Sequence, residues 1–420
     1  MASTSFVKIN GQRLMESLHH SCQWGAIPNS TGMRRLSLDD NDKIVRDWFR
    51  EQVEGLGCKY HFDEMGNQFA ILPGKNNELK PIAMGSHLDT QPAGGKYDGI
   101  LGVLAGLEAL KTIKDAGIVT HSPLALISWT NEEGARFPIC MVSSGVWSAE
   151  IPLARAHNLA DLDGKTMKEE LERIGYKGDT QCSHEATPIA CHFELHIEQG
   201  PILEAEKKMI GVVEGVQGMR WYECTVKGRE AHTGTTPMNA RGDALLTAAK
   251  CIANINRIAV AHDGLGTVGV IQSWPQAVNT IPGTVKFSVD LRHAQDDKLD
   301  TLEAAVRKQL EQHAKEAGVK LELKKTWDSP AINFHPDNVS CVRQAAEAAG
   351  LSSRPMRSGA GHDSVYTSKR VPTSMIFCPS KDGISHNPAE YSSDEECIAG
   401  AQVLLGAVLA YDNLVRSRAA

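Results

Sequence analysis

Short apolar runs alternate with amphipathic segments along the first 215 residues. The runs KPIAMGS, SPLALISWT and HFELHI are each long enough for one buried strand. Between the first two runs lies the segment GILGVLAGLEALKTIKDAG, whose apolar positions have close to helical spacing: Ile100, Leu101, Leu104, Leu107 and Leu110. Strands separated by helices are typical of an α/β fold with a parallel sheet and helices on both faces.

The pattern changes near Gly215 and changes back after residue 328. MRWYECTVKG, TVGVIQSW and TVKFSVDLR predict strands, and the segments ARGDALLTAAKCIANINRIA and DKLDTLEAAVRKQLEQHAKEAG predict helices. Beyond them, VPTSMIFCPS predicts a strand, and a closing helix follows Ser393, which forms a capping-box pattern with Glu396. The sequence therefore predicts an α/β domain, residues 1–215 and 329–420, interrupted by a small α+β domain at residues 216–328.

Composition excludes some classes of partner. Hydrophobic residues make up 41% and charged residues 23%, which is ordinary for a globular protein with a sizeable core. The net charge of −7 argues against nucleic acid, and no apolar run approaches the roughly 20 residues of a membrane span. The chain starts without an apolar signal core, and its ten cysteines contain no C-x-x-C pair, so we expect reduced thiols and a cytoplasmic location.

The stretch GSHLDTQPAGGKYDG follows the first predicted strand and is rich in possible ligands. His87 ends the strand, where functional residues of open α/β sheets collect. Asp89 is placed to accept the other ring N–H of His87 and to set its tautomer. Asp98 begins the next helix, where a carboxylate is favoured and could bridge two cations. The alternative interpretation is a polar turn with an N-capping aspartate.

Three further strand ends carry the same kinds of side chain. ISWTNEEGARF places Glu132 and Glu133 side by side, which is costly unless a cation or a proton relieves the repulsion. One of the two could bind a metal ion while the other transfers a proton. His196 lies in HFELHIEQG and His386 in GISHNPAE. Either histidine alone could be a core or loop residue, but four such strand ends together favour a divalent metal such as zinc or manganese.

A resemblance to a known family rests on long motifs: GSHLDTQPAGGKYDGILGVLAGLEAL, TNEEGARF, HFELHIEQGPILE, AHTGTTP, SGAGHDS and PSKDGISHN. From about Gly25 to Asn413 the chain resembles the M20 metallopeptidase superfamily, in its hydantoinase/carbamoylase branch. It is most similar there to fungal-type β-ureidopropionases (β-alanine synthases) and N-carbamoyl-L-amino acid hydrolases. The resemblance implies an α/β catalytic domain with a mixed sheet flanked by helices, and two divalent metal ions per subunit, zinc first, with Mn²⁺, Co²⁺ or Ni²⁺ as alternatives. It also implies that the inserted domain is a lid and forms a homodimer.

The resemblance assigns roles residue by residue. The implied metal ligands are His87, Asp98, Glu133, His196 and His386, with Asp98 bridging. Glu132 is the implied general base, Asp89 the partner of His87, and His232 a donor that reaches the partner subunit's site. The implied substrate contacts are Gln199 at the ureido or amide end, Asn279 and Arg292 at the carboxylate, and Gly359, Ala360 and His362 around the substrate.

The implied reaction is hydrolysis of the ureido C–N bond of a small molecule, either N-carbamoyl-β-alanine or an N-carbamoyl-L-amino acid. Arg220 departs from the fungal β-ureidopropionases, which lack an arginine there, whereas carbamoylases and allantoate enzymes carry one, so we list it as a further substrate contact. Allantoate amidohydrolase remains an alternative, and an M20 dipeptidase or aminoacylase fits the motifs HIEQG and SGAGHD less well. A non-catalytic scaffold has no need for the adjacent pair Glu132 and Glu133.

Overall fold

The structure is a computed structural model that describes residues 7–419. Its strands are β1 (Lys59–Phe62), β2 (Gln68–Leu72), β3 (Ile82–His87), β4 (Leu124–Trp129), β5 (Cys191–Ile197), β6 (Ile210–Val216), β7 (Gly218–Lys227), β8 (Ala231–His232), β9 (Leu265–Thr267), β10 (Ile271–Trp274), β11 (Thr280–Ile281), β12 (Thr284–His293), β13 (Lys320–Ser329), β14 (Ile332–Asn333), β15 (Ser353–Ser358) and β16 (Thr373–Cys378).

The helices are α1 (Gly11–Ser21), α2 (Asp40–Gly55), α3 (Ile100–Asp115), α4 (Val142–Trp147), α5 (Leu153–His157), α6 (Met167–Ile174), α7 (Ile202–Glu206), α8 (Ala244–Ala261), α9 (Asp296–Ala317), α10 (Pro336–Ala348), α11 (Asp363–Thr367) and α12 (Asp394–Ala419), with short 3₁₀ turns at Met238–Ala240 and Lys381–Gly383. Ser393 caps α12 as the pattern predicts, because its hydroxyl accepts the Glu396 N–H and the Glu396 carboxylate accepts the Ser393 N–H.

The chain divides into two units. The first unit comprises the chain up to Gly215 and from Asn333 onward, and the second unit is Val216–Ile332. The second unit ends at Ile332, whereas the sequence predicts its end at residue 328.

The first unit is built on a mixed sheet with strand order β1-β2-β4-β3-β5-β16-β6, and β15 also pairs with β6. The four central strands β4, β3, β5 and β16 are parallel, and the pairs β1–β2, β2–β4 and β16–β6 are antiparallel. Every residue of the four central strands is buried, which explains why they have continuous apolar runs rather than alternation.

Helix α3 is apolar almost all round because it is a core helix. Thirteen of its sixteen residues are buried, and it packs against β3, β5, α1 and α12. The helix begins directly after Gly99, so the turn that carries Asp98 lies over the end of β3. This packing places the predicted bridging carboxylate next to the predicted ligand at the strand end.

The second unit has a five-stranded antiparallel sheet of order β10-β12-β7-β13, with β9 also paired to β12. Helices α8 and α9 pack against it, over the alternate residues Val285, Phe287, Val289 and Leu291 of β12. Strands β8 and β11 form a separate two-stranded ribbon.

The prediction of one strand at TVGVIQSW is wrong in detail. The segment forms β9 and β10 with a break at residues 268–270, although both strands pair with β12. Thr267 lies opposite Asp290, and Ile271 lies opposite Phe287. Three residues, 268–270, separate Thr267 from Ile271, but only two residues of β12, 288 and 289, separate their partners. The Ser288 hydroxyl accepts the N–H groups of residues 269 and 270, which stabilises the resulting β-bulge.

The expectation about apolar length also needs correction. By length and composition alone, Ala244–Ala261 and Asp394–Ala419 could each cross a membrane. Helix α12 instead packs against α3, α10, β5 and β16 in the first unit. Helix α8 buries Ala248, Cys251 and Ile255 in the core of the second unit. Core packing therefore accounts for α12 and for the buried face of α8.

Candidate metal and catalytic site

The ends of four neighbouring parallel strands bring the predicted ligands of the first unit together. His87 is the last residue of β3, and Glu132 and Glu133 follow β4. His196 lies near the end of β5, and His386 follows β16. Because β4, β3, β5 and β16 are adjacent and parallel, their carboxyl ends meet at one edge of the sheet.

One ligand group consists of His87, Asp98 and His196, all buried. Oδ1 of Asp98 lies 3.0 Å from Nε2 of His196 and 3.6 Å from Nε2 of His87. Within each histidine the other ring nitrogen, Nδ1, lies 2.9 Å from a main-chain carbonyl oxygen. A proton on each Nδ1 leaves Nε2 of both rings available as a ligand atom.

A second ligand group consists of Asp98, Glu133 and His386. Nε2 of His386 lies 3.3 Å from Oδ2 of Asp98 and 3.4 Å from Oε2 of Glu133. The two oxygens of Asp98 thus face different groups, as the predicted bridging role requires. The side chain of His386 is 51% exposed while the other ligands are buried, so the site is open to solvent beside this histidine.

Glu132 belongs to neither ligand group among the described residues. Its carboxylate is buried, with Oε2 3.6 Å from Nε2 of His87. Glu132 is therefore a carboxylate beside the ligand cluster rather than part of it. A buried carboxylate beside a ligand cluster can serve as a general base.

Asp89 has a different role from the predicted one. Its main-chain oxygen, not its carboxylate, contacts Nδ1 of His87 at 2.9 Å, while the nearer carboxylate oxygen is 3.9 Å away. The carboxylate instead accepts the N–H groups of Glu132 at 3.3 Å and Glu133 at 3.2 Å. The turn after β3 directs the carbonyl toward the ring, so the side chain of Asp89 is left to hold the two-glutamate turn.

Gly99 allows α3 to start against His87. Its φ of +67° favours glycine, and a Cβ at this position would lie 2.2 Å from the His87 ring. Any side chain here would separate the Asp98 turn from the strand end. The glycine in YDGILG is therefore required by the close approach of two ligands.

The charges of the cluster shift the pKa values of its members in opposite directions. Burial favours the neutral form of Asp98, but hydrogen bonds with His196, His386 and His87 outweigh it and hold its pKa well below the usual value. A hydrogen bond to Asp98 raises the pKa of His386 to about 9.

The pKa values of the two glutamates shift in the opposite direction from that of Asp98. Burial, followed by the charge of Asp98, raises the pKa of Glu133 to about 7. Burial also raises the pKa of Glu132 well above its usual value, and the charges of Asp363 and Glu133 act in the same direction. Bound protons or cations reduce the repulsion between such closely spaced carboxylates. Shifted pKa values in a group of this kind are typical of functional sites.

Two predicted substrate contacts of the first unit lie at the cluster. The amide nitrogen of Gln199 donates to Oδ2 of Asp98 at 2.9 Å, and its buried Oε1 has no hydrogen-bond partner among the described residues. The ring of His362 lies 4.3 Å from that of His196, centroid to centroid, and contacts the Ser358 hydroxyl through Nε2 at 3.2 Å. Burial and the neighbouring histidine lower the pKa of His362, so its ring is neutral.

The predicted backbone donors near His362 are partly engaged. The N–H of Ala360 donates to the Ser358 hydroxyl at 3.1 Å, and that hydroxyl donates back to the Ala360 carbonyl at 2.7 Å. Gly359 precedes Ala360 and makes an interaction of its own. The N–H of Ala360 is therefore engaged within the turn.

In the second unit, the β8–β11 ribbon brings His232 and Asn279 together. Thr280 pairs with His232, and the Asn279 carbonyl accepts the Thr233 N–H at 3.1 Å. Nδ1 of His232 accepts the N–H groups of residues 234 and 235 at 3.0 and 3.3 Å. Since Nδ1 is an acceptor, the neutral ring carries its proton on Nε2 and is a donor there.

The two predicted arginines of this unit have carboxylate partners. Arg292 lies on the face of β12 opposite the helices and contacts Asp290 at 2.7 Å. Arg220 lies on the helix side of β7, where three carboxylates surround it: Asp300 at 2.6 Å, Glu303 at 2.5 Å and Asp328 at 3.4 Å. Its guanidinium is committed to structural ion pairs, so the structure does not support Arg220 as a substrate contact.

Sequence reasoning missed four polar residues around the ligands. Gln91 donates to Oε2 of Glu133 at 2.7 Å, and the buried Glu194 accepts from Ser86, beside His87. Ser385 and Glu390 contact the Asp98 turn. The motif GISHNPAE contains both of the latter residues, but nothing in it indicates that Glu390 contacts the backbone of Tyr97 and Asp98.

The donor set fits a pair of divalent cations. Nε2 of His87 is buried with no hydrogen-bond partner among the described residues, although it is directed at two carboxylates 3.6 Å away. An imidazole nitrogen in such surroundings is costly unless it binds a proton or a metal ion. Each ligand group provides nitrogen and oxygen atoms within 4.8 Å of one another. Mixed imidazole and carboxylate ligands suit zinc and similar ions.

Comparisons with known proteins identify the family of the chain. The N-carbamoyl-L-amino-acid amidohydrolase of Rhizobium meliloti is 42% identical over 405 residues, 96% of both chains. The allantoate amidohydrolase of Escherichia coli is 30% identical over 396 residues, 94% of this chain and 96% of that protein. A hydantoinase/carbamoylase family amidase from Burkholderia multivorans is 46% identical, with a TM-score of 0.92 over 96% of this chain and 98% of that chain. The family profile of Peptidase family M20/M25/M40 matches residues 83–410. The protein thus belongs to peptidase family M20/M25/M40.

Proposed function

We propose that this protein is a metal-dependent amidohydrolase that cleaves N-carbamoyl-L-amino acids. The observation that carries this function is the pair of ligand groups sharing Asp98, with the separate buried carboxylate of Glu132 beside them. The choice of substrate follows the relatives, since the N-carbamoyl-L-amino-acid enzyme is 42% identical and the allantoate enzyme 30%. Both relatives are named amidohydrolases, and hydrolysis of a non-peptide linear amide is the reaction that we propose for this protein.

The proposed metal ligands are His87 and His196 on one side of Asp98, and Glu133 and His386 on the other. Zn²⁺ is the proposed ion, because two histidines with a carboxylate are typical zinc ligands. When bound, the two ions would polarise the ureido carbonyl and lower the pKa of a water molecule toward about 7.

The protein's own contribution to the chemistry is proton transfer by Glu132. Its carboxylate takes a proton from the attacking water, whose oxygen bonds to the ureido carbon, and returns it to the leaving nitrogen as the C–N bond breaks. The products, after the resulting carbamic acid decomposes, are the amino acid, CO₂ and ammonia. In the metal-free protein, burial raises the pKa of Glu132, and nearby cations would act in the opposite direction.

The remaining contacts would orient the substrate. Oε1 of Gln199 is an acceptor without a partner among the described residues, which suits the ureido NH₂ group. Nε2 of His232 would donate to the oxyanion that forms on the carbonyl oxygen. Arg292 and Asn279 would bind the substrate carboxylate, with Arg292 exchanging Asp290 for a bidentate pair. Arg220 is not included, because its three carboxylate partners already neutralise it.

A substrate panel tests the proposed function. The metal-loaded enzyme should release ammonia from N-carbamoyl-L-amino acids with a higher kcat/KM than from N-carbamoyl-β-alanine or allantoate, and chelation should abolish the reaction. Preference for allantoate, or turnover of dipeptides only, would contradict the proposal. Elemental analysis of the purified enzyme would identify the metal.

We also propose a homodimer formed through the second unit. The β9–β10 segment forms one edge of its sheet, and Leu265 and Ile271 are exposed there. The outer face of α8 adds the exposed side chains of Leu245, Leu246 and Val260. An apolar, unpaired strand edge is a template for pairing with an identical edge. Light scattering of Val260→Asp and Ile271→Lys should show monomers, and a monomeric native protein would refute the proposal.

The ten cysteines, all within the described residues, are unpaired. Unpaired thiols are typical of a reducing compartment, so we propose a cytoplasmic location.

A further inference from the structure

We propose that Glu390 is a positioning residue that ties the Asp98 turn to the loop of His386 and so determines the affinity of both metal sites. This inference rests on the proposed metal ligands and adds a residue that is not itself a ligand. Glu390 is only 4% exposed, and the two oxygens of its carboxylate contact two separate parts of the chain.

The first oxygen holds the Asp98 turn by its backbone. Oε1 of Glu390 accepts the N–H groups of Tyr97 and Asp98, each at 3.1 Å. These two consecutive N–H groups belong to the chain that leads into α3. Hydrogen bonds from backbone to a carboxylate are charge-assisted and therefore strong. The main chain of Asp98 is thus fixed relative to Glu390.

The second oxygen holds the loop of His386. Oε2 of Glu390 accepts the hydroxyl of Ser385 at 3.0 Å. The Ser385 hydroxyl oxygen also lies 3.2 Å from Oδ2 of Asp98 and accepts from the Gln199 amide at 3.0 Å. Ser385 directly precedes His386. The Glu390 carboxylate therefore links the backbone of Asp98 to the residue next to His386.

The turn is closely fitted around this carboxylate. A Cβ at Gly95 would lie 2.1 Å from Oε1 of Glu390, so a glycine is needed for the chain to pass at this distance. Because Asp98 belongs to both ligand groups, a displacement of its turn would disturb both metal sites at once. Residues that orient ligands in this way typically change metal affinity by about 10–100-fold when they are lost.

Asp412 provides a matched control. It is also a buried carboxylate that accepts two consecutive backbone N–H groups, those of His121 and Ser122, at 2.8 and 2.7 Å. The segment that it holds carries no proposed ligand. Glu390→Ala and Asp412→Ala therefore remove the same kind of interaction, and only the first should affect the metal sites.

The affinity of the metal-free protein for Zn²⁺ and Mn²⁺ is measured by competition with a chelator, alongside the free energy of unfolding. We expect Glu390→Ala to weaken metal binding about 10–100-fold and Asp412→Ala to leave it unchanged at a comparable loss of stability. Unchanged affinity in Glu390→Ala, or an equal loss in Asp412→Ala, would overturn the proposal.

Two conservative variants keep the test decisive if Glu390→Ala does not fold. Glu390→Gln has the length of the native side chain and retains an oxygen for both N–H groups, whereas Glu390→Asp keeps the charge but is too short to span both contacts. Positioning predicts better metal binding by Glu390→Gln than by Glu390→Asp, and the reverse order would refute it. No substrate enters these measurements, so failure of the proposed substrate class would appear separately, in the panel assay.

Discussion

At the scale of single residues, adjacent side chains of the same type have different surroundings. Glu133 shares a ligand group with His386 and Asp98, whereas Glu132 lies near His87 but outside both groups. The carboxylate of Asp89 fixes this difference, because it accepts the backbone N–H of each glutamate and so holds their turn. Two identical residues can therefore serve as a base and as a ligand.

Exchange of each glutamate for glutamine separates these roles. Glu132→Gln should retain both metal ions and lose about 10²–10⁴-fold in kcat, because the amide cannot accept the proton from water. Glu133→Gln should instead lose metal, because a charged ligand is removed. Metal content by elemental analysis, measured with kcat on the same samples, distinguishes the two. Near-normal turnover of a fully loaded Glu132→Gln enzyme would exclude Glu132 as the base.

His192, on the strand that carries His196, predicts how stability depends on pH. Burial lowers its pKa from 6.5 to about 4, and Glu194 opposes this only in part. The folded state therefore keeps the ring neutral, while the unfolded chain binds a proton below pH 6.5. The contribution of His192 to stability is complete above pH 6.5 and falls as the pH drops toward 4, by about 2 kcal/mol at pH 5.

The measurement is urea unfolding at pH 7.5 and pH 5 for the native protein and for His192→Asn. Burial raises the pKa of Asp63 to about 6, which acts in the opposite direction over part of this range. The comparison with the variant cancels that contribution. The native protein should lose about 2 kcal/mol more than the variant between the two pH values, and equal losses would show that His192 is not kept neutral.

At the scale of secondary-structure elements, the start of α3 is joined to the end of β3. The two elements approach so closely at Gly99 and His87 that the helix start and the strand end form one ligand pair. Gly117, just beyond the other end of α3, also has a positive φ, of +64°, but no atom lies within 4 Å of a Cβ built there. Of these two glycines with positive φ, only Gly99 has another atom close to the place where a side chain would begin.

This contrast gives a prediction for Gly99→Ala and Gly117→Ala. Both variants place alanine at positive φ, where any side chain is strained. Only Gly99→Ala also pushes against the His87 ring, so only this variant should lose metal affinity and activity. Denaturant unfolding together with metal titration of both proteins checks this. Wild-type metal affinity in Gly99→Ala would mean that the helix start can move away from His87 without cost.

At the scale of the whole molecule, the residues proposed for one reaction belong to two units. The proposed ligands and the base belong to the first unit, while His232, Asn279 and Arg292 belong to the second. Each unit has a hydrophobic core of its own, so each can position its own proposed site residues independently. The exposed edge of the second unit is the reason to expect that two chains take part.

A mixed dimer tests whether His232 serves the partner's site. Glu132→Gln and His232→Ala should each be nearly inactive as homodimers. If His232 acts in trans, a mixed dimer has one site with both lesions and one intact site, so it should regain about half of wild-type activity, by two-fold symmetry. If His232 acts within its own chain, every site keeps one lesion. Verified subunit exchange without recovery of activity would exclude the trans role.

The sequence was informative where a short segment determines its own structure. Apolar runs identified the central strands, the spacing of Ser393 and Glu396 located the start of α12, and polar residues after four strands indicated one site. These inferences succeeded because the carboxyl ends of adjacent parallel strands share an edge of the sheet, so residues far apart in the chain are brought together by a repeated local pattern.

The tertiary structure decided what depends on distance between remote segments. Whether Arg220 faces helix α9 or the open face of the sheet is a matter of strand pairing, and α9 supplies two of the carboxylates that neutralise it. Whether Asp89 offers His87 its carbonyl or its carboxylate depends on the path of one turn. Glu390 belongs to neither ligand group among the described residues, and its importance arises only because folding brings it to the backbone of Asp98, 292 residues away.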